Sequence, residues 1–430
     1  MKSLCSILAL SVAICASADS PRQEAHDRLV DDHHIVYVGE GEKPEKDSVR
    51  ALVENFYIDQ FRNSQDPAAP YFLFMSRDAD LAMGIGGVVR MRVYDDPGNS
   101  MPTPAFNPYD IPLVSDPSNR NHFASTPAGT CLYFRVIGKH SRVGKYQVYI
   151  QAKFNGYAAR DFKLSKAYGE IGDWTIGYAT STFSDPAAEA PTVDANSGTM
   201  SMDFTNLLVR YMHEFKKIGL TVGGSIETPD FRFQEGTDVE SRKTVAPNVA
   251  ALAQYEWAPG QHVRLSGIMR FLPYRDLLNG KNYTELGYGI QLSTIFHPVV
   301  DAWTVYGILN CGHSYSNSGA DFLLGQYDLI VDTERPGRMK TVPGWSYYVG
   351  TSYQFSPKVL ASVSFGQARM TSHDNPQDNY KYGLYVAGNV FYDLTPRIKF
   401  GAEFNVGKRQ DFDLRHAYAR RIGLMAQFMF

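Results

Sequence analysis

A chain of 430 residues with 42 basic and 45 acidic side chains, net charge −3, offers no electrostatic case for nucleic-acid binding: it has no basic tail and no run of five like charges. Its 27 Tyr, 25 Phe and 36 Gly favour strands joined by turns. Beyond the extreme N-terminus no segment has eighteen consecutive apolar residues, which excludes a transmembrane helix but not a closed barrel, whose strands need only roughly 9–11 residues apolar on alternate positions.

Residues 1–18 read as a secretory signal: Lys2 is the positive end, Leu4 to Ile14 is apolar, and Ala16-Ser17-Ala18 is a small-residue cleavage pattern. The mature chain then begins near Asp19. Bulky Ile14 argues against a lipoprotein at Cys15. Cys131 and Cys311 remain, too few for a disulfide framework. Residues 19–80 form an N-terminal periplasmic segment. Asp19 to Lys46 is polar and loop-like, and Asp31-Asp32-His33-His34 reads as solvated loop rather than a metal site. From Asp47 to Arg62, Val49, Leu52, Val53 and Phe56 follow helical spacing, with Ser48 as a cap. Two heptads are short for a coiled coil, and the segment is too small for a folded plug domain.

From residue 81 to 430 the period changes to two, predicting an all-β, transmembrane antiparallel β-barrel of about sixteen strands. In chain order they are Leu81–Tyr94, Gly129–Gly138, Gly144–Phe154, Asp161–Ile171, Trp174–Ser181, Thr205–Phe215, Ile218–Glu227 and Pro247–Trp257. The second half follows as His262–Leu272, Lys281–Phe296, Asp301–His313, Trp345–Phe355, Val359–Met370, Tyr380–Tyr392, Arg397–Phe412 and Ala417–Phe430. Short connections such as Gly172-Asp173 and Lys216-Lys217 alternate with mostly longer ones such as Asp95–Ala128 and Ser314–Gly344. Short turns on one rim and long loops on the other are the outer-membrane pattern. With the N-terminus periplasmic, Trp174, Trp257, Trp303, Phe215, Phe296, Phe355 and Tyr392 fall on one rim, as an interfacial girdle requires. Trp345 falls on the other. The terminal Phe430, after alternating apolar residues, resembles the assembly signal of bacterial barrels.

Several segments resemble the DcaP-like outer-membrane porin family. Ala82–Tyr94 (AMGIGGVVRMRVY) resembles its first barrel strand, and Phe162–Thr182 (FKLSKAYGEIGDWTIGYATST) its fourth and fifth. Phe183-Ser184-Asp185-Pro186 opens the next loop in the family manner, and Leu323–Asp328 and Gly344–Tyr348 resemble weaker landmarks. The resemblance implies a homotrimeric channel for small, often anionic solutes in the outer membrane of a Gram-negative bacterium. The family's long N-terminal coiled coil is at most a short helix here, and Tyr178 stands where the family tends to have a polar residue.

Sixteen strands leave an aqueous lumen, whose lining charges set what passes. Parity points Arg90, Arg92, Arg135, Lys145, Lys153, Lys163, Arg210, Arg264, Arg270, Lys381, Lys399 and Arg421 inward, against only Glu214, Glu256, Glu285 and Glu403. That is too few wall carboxylates to pair the cations, so the expectation is a passive pore preferring small anions such as carboxylates. The loop after the fifth strand carries Asp185, Glu189 and Asp194 and is expected to fold inward as a constriction. Cys131 is expected to face inward and Cys311 outward, as two free thiols. The expected partners are small anionic or polar solutes and outer-membrane lipid, with no metal, cofactor or nucleic acid. A receptor for an oligosaccharide or peptide, with Phe231, Phe233, Tyr274 and Tyr315 as platforms, is the alternative. A barrel esterase drawing on His213, His262 and Ser266 is a weaker one.

Overall fold

The computed structural model describes residues 21–154, 162–194, 204–233, 236–300, 302–316, 320–371 and 379–430. The expected signal peptide lies outside them, as do Asp161, Asp301 and the end of the loop after the fifth strand. The chain opens with α1 (Pro21–Asp31), β1 (His34–Val38), α2 (Lys46–Glu54) and β2 (Phe72–Ser76). Then come β3 (Leu81–Asn99), β4 (Arg120–Thr126), β5 (Cys131–His140), β6 (Gly144–Phe154), β7 (Phe162–Ile171), β8 (Trp174–Thr180), β9 (Thr205–Phe215), β10 (Leu220–Glu227), β11 (Val239–Ser241) and β12 (Asn248–Ala258). The second half holds β13 (Gln261–Asp276), β14 (Lys281–Val299), β15 (Trp303–His313), α3 (Ala320–Leu324), β16 (Leu329–Val331), β17 (Met339–Thr341), β18 (Pro343–Ser356), β19 (Val359–Met370), β20 (Tyr380–Thr395), β21 (Ile398–Asp411) and β22 (His416–Met429).

All sixteen predicted strands are present, each antiparallel to its neighbours, and the sheet closes where β22 pairs β3 from Ile422↔Asp95 to Met429↔Val88. Closure follows from the alternation. On β22, Ile422, Leu424 and Phe428 are about half exposed, whereas Arg421, Met425 and Gln427 are buried. On β3, Ile85, Val89 and Met91 face out while Arg90 and Arg92 face in. An edge left open in lipid would strand a row of backbone N–H and C=O groups. The periplasmic turns are tight because glycine takes the positive φ they need, as at Gly219 (φ 64°) and Gly260 (φ 70°). Trp174, Trp257 and Trp303 are exposed on that rim. Cys131 is buried and Cys311 exposed, and both are free.

The N-terminal segment differs from expectation. The predicted helix stops at Glu54, with Ser48 inside it rather than capping, and Glu45 makes no side-chain cap. The stretch expected to be loop contains α1 and β1. β1 pairs in parallel with β2, from His34↔Phe72 to Val38↔Ser76. β2 in turn pairs β3 at Leu73↔Gly84 and Met75↔Ala82, directly beyond the point where β22 ends. The edge of β3 is therefore covered by two strands placed end to end, the last of the chain and one of the first. α1 lies across the periplasmic rim. Arg22 donates to Thr304 Oγ1 at 2.8 Å, Arg28 to Pro357 O at 3.4 Å, and Asp32 accepts from Arg397 Nε at 2.8 Å. His33 bonds Pro70 O at 2.8 Å, so this Asp-His stretch is fixed structure rather than solvated loop.

Candidate channel interior

Seven of the predicted inward cations, Arg90, Arg92, Arg135, Arg210, Arg264, Arg270 and Arg421, are at most 5% exposed. Four are paired with carboxylates: Arg92 with Asp194 at 2.9 Å, Arg264 with Asp185 at 3.4 Å, Arg270 with Asp328, and Arg421 with Asp96 at 2.6 Å. The other three are held by neutral oxygens. Arg90 donates to Gln427 Oε1 (2.9 Å) and Gln65 Oε1 (2.8 Å), Arg135 to Gln147 Oε1 (2.7 Å) and Phe56 O (2.7 Å), and Arg210 to Thr180 O (3.0 Å). A guanidinium carries five donors in a fixed fork. Several of these arginines accordingly grip backbone carbonyls of segments folded into the barrel as well as side chains.

The lysines are distributed otherwise. Lys145 is exposed at a periplasmic turn, Lys163 is exposed opposite Lys153 in register, and Lys399 sits 3.5 Å from Asp393. Lys381 is the extra residue of a β-bulge between Tyr380 and Tyr382, its amine 5.6 Å from the Phe412 ring, and Tyr380 takes the buried inward place. A second bulge sets Gln151 opposite Lys166 and Ala152 opposite Leu164. It turns Lys166 inward as well as Lys163, and simple alternation misses Lys166. Of the wall acids, Glu214 and Glu256 are exposed near the periplasmic turns and Glu285 is half-buried. Glu403 is buried and accepts from the backbone N–H groups of Val193 (3.0 Å) and Asp194 (3.2 Å).

Residues 182–194 lie inside the barrel. At one end Asp185 meets His262 at 2.9 Å and Ser293, while Arg264 donates to Ser184 O at 3.0 Å. Midway, Glu189 is buried and Ala190 N donates to Tyr348 Oη at 3.0 Å. At the far end Asp194 joins Arg92 and accepts from Phe106 N at 2.7 Å. The loop thus spans from β13 and β14 to β21 and β3. Two longer loops also turn inward. Arg421 holds Thr103 O (3.0 Å) and Pro104 O (2.6 Å), burying Phe106 and Ile111, and Arg270 draws Asp328 and the Ser314 carbonyl towards β13.

The expectation that residues 19–80 stay outside the barrel is corrected by residues 55–69. Their carbonyls at Phe56, Gln60, Ala68 and Ala69 accept from Arg135, Arg264, Tyr133 and Arg397. The Phe61 ring lies under two guanidinium groups, 4.1 Å from Arg210 and 5.0 Å from Arg264. Gln65 Nε2 donates to Thr192 O at 2.7 Å, joining this segment to the inward loop. No folded domain is needed to enter a lumen. A short loop suffices when the wall satisfies its backbone. A cavity of about 340 Å³ remains between this segment and β5–β10, lined by Arg135, Lys145, Arg210, Glu170 and Glu214.

The alternatives lose their residues to packing. Phe233, Tyr274 and Tyr315 are buried, so they are not binding platforms; Tyr274 and Phe233 share one core cluster, against which Phe231 packs. Ser266 donates to Phe183 O at 2.6 Å and His262 holds Asp185, so both fasten the inward loop. His213 bonds Asp173 at 2.8 Å away from that pair.

No family model and no curated protein matches the chain. Solved structures do. The outer-membrane channel DcaP of Acinetobacter baumannii superposes with a TM-score of 0.68 at 18% identity, over 82% of this chain and 98% of that one. An anion-selective porin from Comamonas acidovorans gives 0.54 at 10% identity, over 81% and 100%. The OmpF of Salmonella typhi, solved with daunomycin, gives 0.55 at 10% identity, over 82% and 98%. The fold is that of porin-like outer-membrane channels.

Proposed function

We propose that this protein is an outer-membrane diffusion channel for small hydrophilic solutes, that it prefers anions, small carboxylates among them, and that it assembles as a trimer. The observation that carries the anion preference is the set of seven arginines turned into one barrel of porin fold. Four carry paired carboxylates. Among the described residues Arg90, Arg135 and Arg210 make no ion pair: Arg90 stands beside Arg92, and Arg135 and Arg210 line one cavity together with Glu170 and Glu214, so their guanidinium groups keep donors for passing anions. A low-dielectric wall focuses their field into the lumen. The trimer and the cargo class rest on the family resemblance, and the channel itself on the fold.

Reversal potentials in planar bilayers under a salt gradient test this reading. Anions should permeate better than cations at low ionic strength. Arg90→Gln with Arg92→Gln should shift the potential towards cations, because it removes two lumen charges and the ion pair that Arg92 makes with Asp194. Lys46→Gln, on α2 outside the lumen, is the control and should change little. A cation preference in the unaltered channel would end the anion reading.

A further inference from the structure

We infer that residues 57–68 are an internal plug that occupies the periplasmic half of the lumen and leaves it when the channel opens. This rests on the channel reading above. The plug enters and leaves by the same mouth. Before it lies α2, and after it β2 pairs the periplasmic end of β3, while Arg397, at the β20–β21 turn, holds Ala69 O at 3.1 Å. A loop with both ends on one side withdraws without threading.

The two halves of the N-terminal segment are also held by different physics. Outside the plug, Val30, Leu52, Val53, Leu73, Met75 and Ala82 form one apolar core with Phe56 and Ala69, the residues that flank the plug. Past Tyr57, which still packs against that core, the contacts are mainly hydrogen bonds from side chains of the wall to carbonyl and amide oxygens and from Gln65 to the inward loop, with Phe61 as the buried ring. Water or the oxygens of a passing anion can take over such donors. They cannot replace an apolar core. The anchor therefore stays while the tip exchanges. The tip also carries Asp59, which accepts from Tyr168 Oη at 3.3 Å, and Asp66. Its oxygens stand against Arg90, Arg135 and Arg264 where cargo oxygens would go, so anionic solutes compete with the plug for the same donors.

The test tethers the tip. In a background with Cys131→Ser and Cys311→Ser, Gln65→Cys and Thr192→Cys are bridged in the folded full-length protein by a short bis-thiosulfonate, which forms a reducible mixed disulfide with each thiol and releases sulfinate. Thr192 is a fixed anchor, because the adjacent Val193 N is held by Asn389 at 2.9 Å and by Glu403. The bridged channel should show only a low conductance, and reduction should raise it several-fold. Replacing residues 57–68 by Gly and Ser at equal length should give the high conductance without reduction. Equal currents from bridged, reduced and Gly–Ser channels would overturn the plug and leave the channel reading standing. No current from a folded Gly–Ser barrel would overturn the channel reading itself.

Discussion

At the scale of single residues, the interior is organised by guanidinium groups. Arg264 is fully buried and joins Gln254, Ser184, Gln60 and Asp185, thereby linking the wall, the inward loop and the N-terminal segment. Arg264→Met should destabilise the barrel by about 3–5 kcal/mol, the usual cost of stranding one member of a buried pair. The temperature at which the folded band converts on a heat-modifiable gel reads the loss. Arg232→Met, whose partner Asp230 lies 3.8 Å away in an exposed pair, should cost about 0–1 kcal/mol. In the outer loop, burial pushes the Asp321 carboxyl up to about 7, where it accepts from Tyr380 Oη and, at 3.2 Å, from Tyr109 N. The folded state thus favours the protonated acid. The stability this adds is full below the ordinary value of 3.8, falls as the pH climbs, and is gone above about 7. A spin label at exposed Glu334, on the same loop, should therefore be least mobile in acid, and Asp321→Asn should remove the pH dependence. Residue types foretold which arginines face inward, but not their partners. About half of those partners are backbone carbonyls, such as Phe56 O, Gln60 O and Thr180 O, which every residue carries and which leave no mark in a sequence.

Among the elements, β3 is the one on which closure depends. It pairs β5 on one edge and both β22 and β2 on the other. Gly87 N donates to Phe430 O, and Phe430 N to Gly87 O, each at 3.1 Å. A Cβ at Gly87 would lie 2.4 Å from Cys131 O and 2.9 Å from the Phe430 ring. Gly87→Ala should cost about 1–3 kcal/mol, the range for overpacking, and lower the gel transition. Gly388→Ala, where a new Cβ meets nothing within 4 Å, should leave it unchanged. The sixteen strands were legible because lipid on one face and the interior on the other enforce a period of two over many residues. β1 and β2 were not, since His34–Val38 and Phe72–Ser76 span only five residues each, too short to separate alternation from chance. Past Phe56, the last position in helical spacing, residues 57–69 show no period, because a loop held by its carbonyls needs none. The bulges at Lys166 and Tyr380 shift the parity that alternation assumes.

For the whole molecule, the barrel geometry keeps the two cysteines among the described residues on opposite faces, Cys131 buried within and Cys311 on the lipid side. Reduction should leave the mass of the mature protein unchanged. A membrane-partitioning maleimide should label Cys311 in the folded protein, and Cys131 only after unfolding. If the lumen field sets selectivity, the anion preference should fade between 0.1 M and 1 M salt, as the screening length falls from about 10 Å to about 3 Å. The placement of α1 has a mechanical side. The contacts of α1 and of Asp32 just after it reach successive strand ends and turns of the periplasmic rim, from Arg22 at Thr304, through Arg28 at Pro357, to Asp32 at Arg397. Tension applied at Pro21 would load those contacts one after another and peel them singly at low force. Beyond them, five β1–β2 pairs in register share the load. A pull from the periplasmic side is thus absorbed at the rim before it reaches the residues inside the barrel.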